Sequence, residues 1–237
     1  MALCLCGEFF FMSPPTALIA FDLDGVLYSS EAFLGEAYRE AIANVNAARP
    51  GSFARVPATR EILDHVGWPV PMILQRLFPV VDDAAMALLH VETLEVICAR
   101  VARGEGLLYP DVHDTLRALH EGGFQLAIAS NGRTKYVETV LATYDLADYF
   151  IPRVTADMVG DKISVLRFYV YRLGLRPDAV VMIGDRASDV EAAAAVGCAF
   201  VGCDYGHGYR HEIEAAGPLV ARFADLPATI DRVLAAK

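Results

Sequence analysis

The sequence predicts an α/β fold: a parallel, Rossmann-like sheet core with an all-helical domain inserted after its first strand. Three observations carry this. Short continuous apolar runs alternate with amphipathic helical patterns from residue 109 onward, as in a parallel sheet covered on both faces. Residues 28–108 break the alternation with helical patterns alone. Acids and hydroxyls cluster just after the apolar runs, at the strand ends where ligands bind in open α/β sheets.

The elements follow in chain order. Residues 1–16 read as an N-terminal tail, 17–27 and 109–237 as the core, and 28–108 as the inserted domain. The first twelve residues are apolar, with Phe9-Phe10-Phe11, but lack a basic leader and are too short to span a membrane. Met12, before Ser13-Pro14-Pro15, is the expected true start. The first strand covers 17–21 and ends at Asp22. In the insertion, Phe33, Ala37, Ala41 and Val45 share one helical face, and Thr59 opens a short helix. Another helix runs over about 70–78, and a long one follows Asp82 and stops near 104–106. Asp111 is positioned to cap a helix carrying Val112, Leu116 and Leu119, with Gly122-Gly123 as its stop. A strand over 125–129 precedes a helix marked by Val137, Val140, Leu141 and Tyr144. A weaker strand over 150–154 is interrupted by Pro152. Ile163, Leu166, Val170 and Leu173 mark the next helix, followed by a strand over 179–183. Ser188 and Glu191 have capping-box spacing, and the last strand is expected over 198–201. The sequence shows no internal repeat and no low-complexity linker.

Composition narrows the function. The chain has 237 residues, 55% hydrophobic and 21% charged, enough to bury a substantial core. Its net charge of −10 argues against nucleic acid or an anionic membrane as partner. A phosphate substrate stays compatible, because a metal ion and a few local cations can reverse the field inside a site. The five cysteines, Cys4, Cys6, Cys98, Cys198 and Cys203, form no Cys-x-x-Cys pair and read as reduced thiols of a cytoplasmic protein.

Four short motifs carry chemistry. Asp22 and Asp24, two apart at a strand end, can share a hard cation while one carboxylate stays free to attack, although Asp and Gly are also ordinary turn residues. Ser130-Asn131-Gly132 follows the second core strand, where a hydroxyl and loop amides can hold phosphoryl oxygens; the same tripeptide is also a routine turn. Lys162 opens a helix, a position equally suited to a solvated surface charge. Gly184-Asp185-Arg186 ends a further strand, with Asp189 four residues beyond Asp185. Asp189 also suits a helix N-terminus on dipole grounds, whereas a buried Asp185 needs a cation or hydrogen-bond donors.

In this order and at these strand ends, the motifs resemble the haloacid dehalogenase superfamily over residues 17–230. The insertion is similar to the small helical cap domain of its phosphoglycolate phosphatase branch, as are the stretches 62–79 and 202–208. The resemblance implies Asp22 as the nucleophile and Asp24 as the acid that protonates the leaving oxygen and then activates water. It makes Ser130, Asn131 and Lys162 phosphoryl-binding, with Lys162 also neutralising Asp22. It places Mg2+ on Asp22, Asp185 and the carbonyl of Asp24, with Asp189 supporting the site. Elementary chemistry agrees: a carboxylate nucleophile splits one hard displacement into two easier ones, and oxygen ligands favour magnesium over zinc.

Two departures loosen any named substrate. Ser29 stands before Ser30 where the family commonly has an Asp, and the Lys162 motif lacks the Pro that often follows. Arg133, and in the cap Arg39, Arg60, His65 and Arg76, are candidates for substrate contact as well as for surface roles. The expected function is hydrolysis of a small phosphomonoester such as phosphoglycolate, by a monomer or homodimer. A phosphosugar mutase or a pyrophosphatase uses the same core, although Arg186 stands where mutases usually carry a further acid. A non-catalytic phospho-aspartate regulator has no need to retain Asp24 and Lys162 together with Asp185, and a dehalogenase has no use for Asp24 as an acid.

Overall fold

A computed structural model describes residues 17–236; the readings made on residues 1–16 lie outside it. Strands β1 (Leu18–Phe21), β2 (Tyr28–Ser29), β3 (Leu107–Leu108), β4 (Gln125–Ile128), β5 (Val180–Gly184), β6 (Ala199–Cys203) and β7 (Leu219–Val220) form two sheets. The main sheet is parallel throughout, in the order β4-β1-β5-β6-β7. β1 is central, with Ile19 opposite both Leu126 and Val181. The chain steps from β1 to one side and then returns to the other, so the crevice beyond the C-terminal ends of β1, β4 and β5 is the topological switch point.

Both faces of this sheet are buried, which explains the unbroken apolar runs. Ile19, Phe21, Ile128, Val181 and Ile183 face one cluster; Leu18, Ala20, Ala127, Val180 and Met182 face the other.

The insertion holds α1 (Glu31–Ala48), α2 (Thr59–Leu63), α3 (Val70–Leu77) and α4 (Asp83–Ala102). α1 packs along α4, burying Phe33, Ala37, Ala41 and Val45 as the periodicity predicts. Asp82 caps α4 by accepting from the N–H groups of Ala84 and Ala85, both at 3.1 Å. The core adds α5 (Val112–Glu121), α6 (Thr134–Thr143), α7 (Ala156–Val159), α8 (Lys162–Leu173), α9 (Ala187–Val196), α10 (Arg210–Ile213) and α11 (Leu226–Ala235). No helix among the described residues is long and apolar enough to cross a membrane.

Several sequence expectations need correction. Residues 150–154 form no strand: Ile151 donates one bond to the Leu126 carbonyl at 2.9 Å, and Pro152, without an N–H, cannot continue the ladder. β7 is missing from the sequence reading, as is the antiparallel β2–β3 ribbon, which pairs Tyr28 with Leu108 and Ser29 with Leu107 at the two junctions of the insertion. Ser188 lies inside the first turn of α9 rather than capping it; the capping bond is from the Arg186 N–H to Asp189 Oδ2, at 2.9 Å. Asp111 stands at the cap position of α5, but with φ of 65° and no side-chain bond to the helix.

Candidate active site

The C-terminal end of β1 delivers Asp22, and an N–H bond from Asp22 to the Ile183 carbonyl (2.9 Å) fixes it against β5. The side chain is buried. Its Oδ1 accepts the Leu23 N–H at 2.8 Å, and its Oδ2 lies 2.9 Å from Lys162 Nζ. Lys162 reaches in from the first turn of α8, itself only 2% exposed, and pairs also with Asp189 Oδ1. Burial alone would lower the lysine pKa; the charges of Asp189 and Asp22 outweigh it and hold the ammonium above its ordinary range.

Asp185 follows Gly184 at the end of β5, and its side chain packs against Gly25 and Gly206. Its Oδ2 accepts the N–H groups of His207 and Gly208 at 2.8 and 2.9 Å. A Cβ at Gly25, where φ is +81°, would lie 2.2 Å from Asp185 Oδ2, and one at Gly206 2.5 Å from it. Glycine is therefore a steric requirement in Asp-x-Asp-Gly and in the 202–208 stretch. Burial, then the charges of Asp189 and Asp22, drive the Asp185 pKa well above the carboxylate range. Asp189 is fully buried; its Oδ2 accepts the N–H groups of Asp185 and Arg186 at 3.0 and 2.9 Å. Burial raises its pKa to about 6, with Lys162 opposing.

Oxygens of Asp22, Asp185 and Asp189 lie within 4.8 Å of one another, and Asp185 Oδ1 is buried without a partner. A bare carboxylate oxygen in such a place fits a hard cation, and the donor set is oxygen only. Asp185 offers the bare Oδ1, and Asp22, with one N–H bond and one lysine contact, keeps lone pairs for an ion. Both oxygens of Asp189 are already committed, which suits a supporting role.

Asp24 points to the other side, toward α6. Its Oδ1 accepts from Tyr136 Oη at 2.7 Å and from Ser30 Oγ at 3.3 Å. Burial raises its pKa to about 7; the Tyr136 bond lowers it and the charge of Asp22 raises it by smaller amounts. Ser130, buried just beyond β4, accepts the Gly132 N–H at 3.1 Å. The Asn131 side chain is spent elsewhere: its amide donates to the Gly67 carbonyl at 2.8 Å and accepts the Lys162 N–H at 3.0 Å. Its main-chain N–H makes no bond among the described residues.

The helical cap closes over this end of the sheet. Ser188 Oγ also donates to the Gly67 carbonyl (3.3 Å), and the buried Arg186 donates through Nη2 to the Asp64 carbonyl (2.7 Å). Between cap and core lies a cavity of about 100 Å³, with Asp22, Asp24 and Ser130 at its floor and Leu34, Ile62, Trp68, Ile73 and Ile97 on its walls. Arg133 lines it. Arg39, Arg60, His65 and Arg76 do not: Arg39 pairs with Glu36, Arg60 with Asp64, and Arg76 lies over the Trp68 ring. Tyr136 and His90 escaped the sequence reading, since each lies in a helix where its type is unremarked and only the closed cap gives it a neighbour; Arg186 was read as part of its motif, but not as a contact to the cap.

The chain matches the model of the haloacid dehalogenase-like hydrolase family over residues 16–197. It is 31% identical over 211 residues to the phosphoglycolate phosphatase of Vibrio vulnificus strain YJ016, covering 85% of this chain and 89% of that one. With the Salmonella typhimurium phosphoglycolate phosphatase the identity is 29% over 223 residues, covering 84% and 86%. Among solved structures, a predicted phosphoglycolate phosphatase from Haemophilus somnus 129PT superposes with a TM-score of 0.78 at 23% identity, covering 92% and 99%. CbbY from Rhodobacter sphaeroides in complex with phosphate gives 0.74 at 24%, covering 91% and 99%. At these identities the structural likeness speaks for the fold.

Proposed function

Since the chain belongs to the haloacid dehalogenase-like hydrolase family, we propose that it is a magnesium-dependent phosphatase that hydrolyses a small phosphomonoester of the phosphoglycolate kind through an aspartyl-phosphate on Asp22. One observation carries the reading: two carboxylates face one cavity in opposite settings. Asp22 is ion-paired to Lys162, whereas Asp24 has no cation and a pKa raised to about 7. The lysine-paired Asp22 is the one placed to attack, and Asp24, without such a partner and inclined to hold a proton, is the one placed to act as the acid.

In the first step an oxygen of Asp22 bonds to phosphorus as the ester oxygen leaves, and Asp24 gives that oxygen its proton. Asp24 Oδ1 accepts from Tyr136 and Ser30, so Oδ2 is the atom that carries the proton. In the second step Asp24, now ionised, takes a proton from the water that attacks phosphorus and frees Asp22. Ser130 and the Asn131 N–H hold phosphoryl oxygens, and Lys162 holds the Asp22 carboxylate in place. Magnesium, held by Asp22, Asp185 and the Asp24 carbonyl, would offset the negative charge gathered there. Asp189 positions Lys162 and the turn that carries Asp185.

The relatives named phosphoglycolate phosphatase support this substrate type, and so does size. The cavity, about 100 Å³, is small, which suits a short leaving group. The test is release of inorganic phosphate from phosphoglycolate with magnesium present. Isomerised sugar phosphate with negligible free phosphate, on incubation with a sugar 1-phosphate and its bisphosphate, would favour a mutase instead.

A further inference from the structure

The cavity has two chemically different ends. Its floor holds the phosphoryl machinery, and its cap-side wall is mostly apolar. Three hydroxyls lining the cavity are already spent: Ser30 and Tyr136 donate to Asp24, and Thr93 donates to the Leu89 carbonyl at 2.8 Å. Two groups are not. His90, on α4, has its Nε2 buried with no hydrogen-bond partner. Arg133, three residues after Ser130, has no carboxylate partner among the described residues.

These groups belong to different parts of the molecule and are brought together by packing. α4 of the cap runs against α6 of the core, which Arg133 precedes, and a Lys135–Glu95 pair fastens the two helices. The neighbourhood is close enough to register electrostatically: burial, and then the Arg133 charge, push the His90 pKa below its ordinary value. A neutral imidazole and an unpaired guanidinium thus face a small, largely apolar space. Left without an acceptor, each loses its hydration for nothing in return.

We propose that His90 and Arg133 form the leaving-group subsite, and that they select a short leaving group ending in a carboxylate. The proposal rests on the phosphatase reading for the other end of the cavity. A guanidinium among apolar side chains calls for an anion rather than a hydroxyl, and its planar fork matches a carboxylate. The cavity, about 100 Å³, suits a short acid beside the phosphoryl group better than a second phosphate. The imidazole Nε2–H completes the site from the cap, so a correct leaving group also holds the cap against the core.

The test is calorimetric and needs no turnover. 3-Phosphonopropionate replaces the bridging oxygen of phosphoglycolate by a methylene; propylphosphonate is its uncharged-tail counterpart. With magnesium present, the wild type is expected to bind the acid at least ~10-fold more tightly than the alkyl compound, as for a charge-assisted contact. His90→Leu and Arg133→Leu should each shrink that ratio to under about 3-fold, and His90→Gln, which keeps a donor, should retain part of it. Melting curves identify any variant that fails to fold, and His90→Gln is the fallback for His90→Leu. Equal binding of the two compounds by the wild type would overturn the subsite, as would a preference that persists in folded variants of both residues. Phosphate release from phosphoglycolate is measured separately. Its absence from a protein that shows the binding preference would overturn the phosphatase reading and leave the subsite standing.

Discussion

At Asp22 and Asp24 the same functional group is asked to do opposite things, and its neighbours decide which. Asp22→Asn keeps the shape but removes the attacking charge, and Lys162 retains Asp189 as partner, so the fold should survive. We expect the folded variant to lose roughly four orders of magnitude or more in kcat, measured as phosphate release. Asp24→Asn should cost about a hundred- to ten-thousand-fold, the usual worth of general acid–base help. Tyr136→Phe tests the tuning. Asp24 must enter the first step protonated, so kcat/KM should fall as pH rises past its pKa, about 7 in the free protein. The Tyr136 hydroxyl stabilises the ionised form; removing it raises the pKa and moves this limb to higher pH. A limb that stays in place or moves to lower pH would count against the assignment. Asp22, Asp24, Ser130, Lys162, Asp185 and Asp189 were legible in the sequence because each sits at or just after a strand end or opens a helix. Tyr136 was not. It is 112 residues from Asp24, and at helical spacing beside Val137 and Val140 it reads as core.

Among the elements, the loop after β6 shows how backbone serves chemistry. Gly206 approaches Asp185 so closely that a Cβ would lie 2.5 Å from its side chain, while Gly206 itself has no left-handed φ. Gly206→Ala therefore acts by steric displacement of Asp185 rather than by backbone strain. The magnesium concentration for half-maximal activity should rise at least ~10-fold, the scale on which support of a metal ligand matters. An unchanged magnesium requirement in the folded variant would separate this loop from the metal site. The sequence revealed the four long strands through apolar runs buried on both faces, and the cap helices through their periodicity. It could not reveal β2, β3 or β7, since two residues make no period. Nor could it decide residues 150–154, where the apolar run is real but Pro152 denies the ladder a donor.

Over the whole molecule, the acidic centre is a structural liability that a cation would resolve. Asp22, Asp185 and Asp189 are all at or below 1% exposure, and the Lys162 ammonium pairs with Asp22 and Asp189 but not with Asp185. They come from β1, β5 and α9, with Lys162 from α8 and two donor N–H groups from the loop after β6, so one ion would tie five segments of the core together. Without it, burial and the charges of Asp189 and Asp22 make the ionised form of Asp185 costly, as its raised pKa indicates. Magnesium and protons compete for these carboxylates, so apparent affinity should weaken as pH falls. A ligand at a hundred times its dissociation constant stabilises the native state by about 2.7 kcal/mol, which for a chain of this size is a Tm rise of roughly 5–10 °C. We expect that rise with magnesium chloride and not with sodium chloride of equal ionic strength. Asp185→Asn should abolish most of it, because an amide keeps the N–H contacts of one oxygen but offers the ion no charge. Chelation should return the wild type to the lower Tm and stop phosphate release together, and magnesium should restore both. A Tm indifferent to magnesium, in protein shown metal-free by elemental analysis, would mean that the carboxylates are neutralised by protons alone, and the metal assignment would fall.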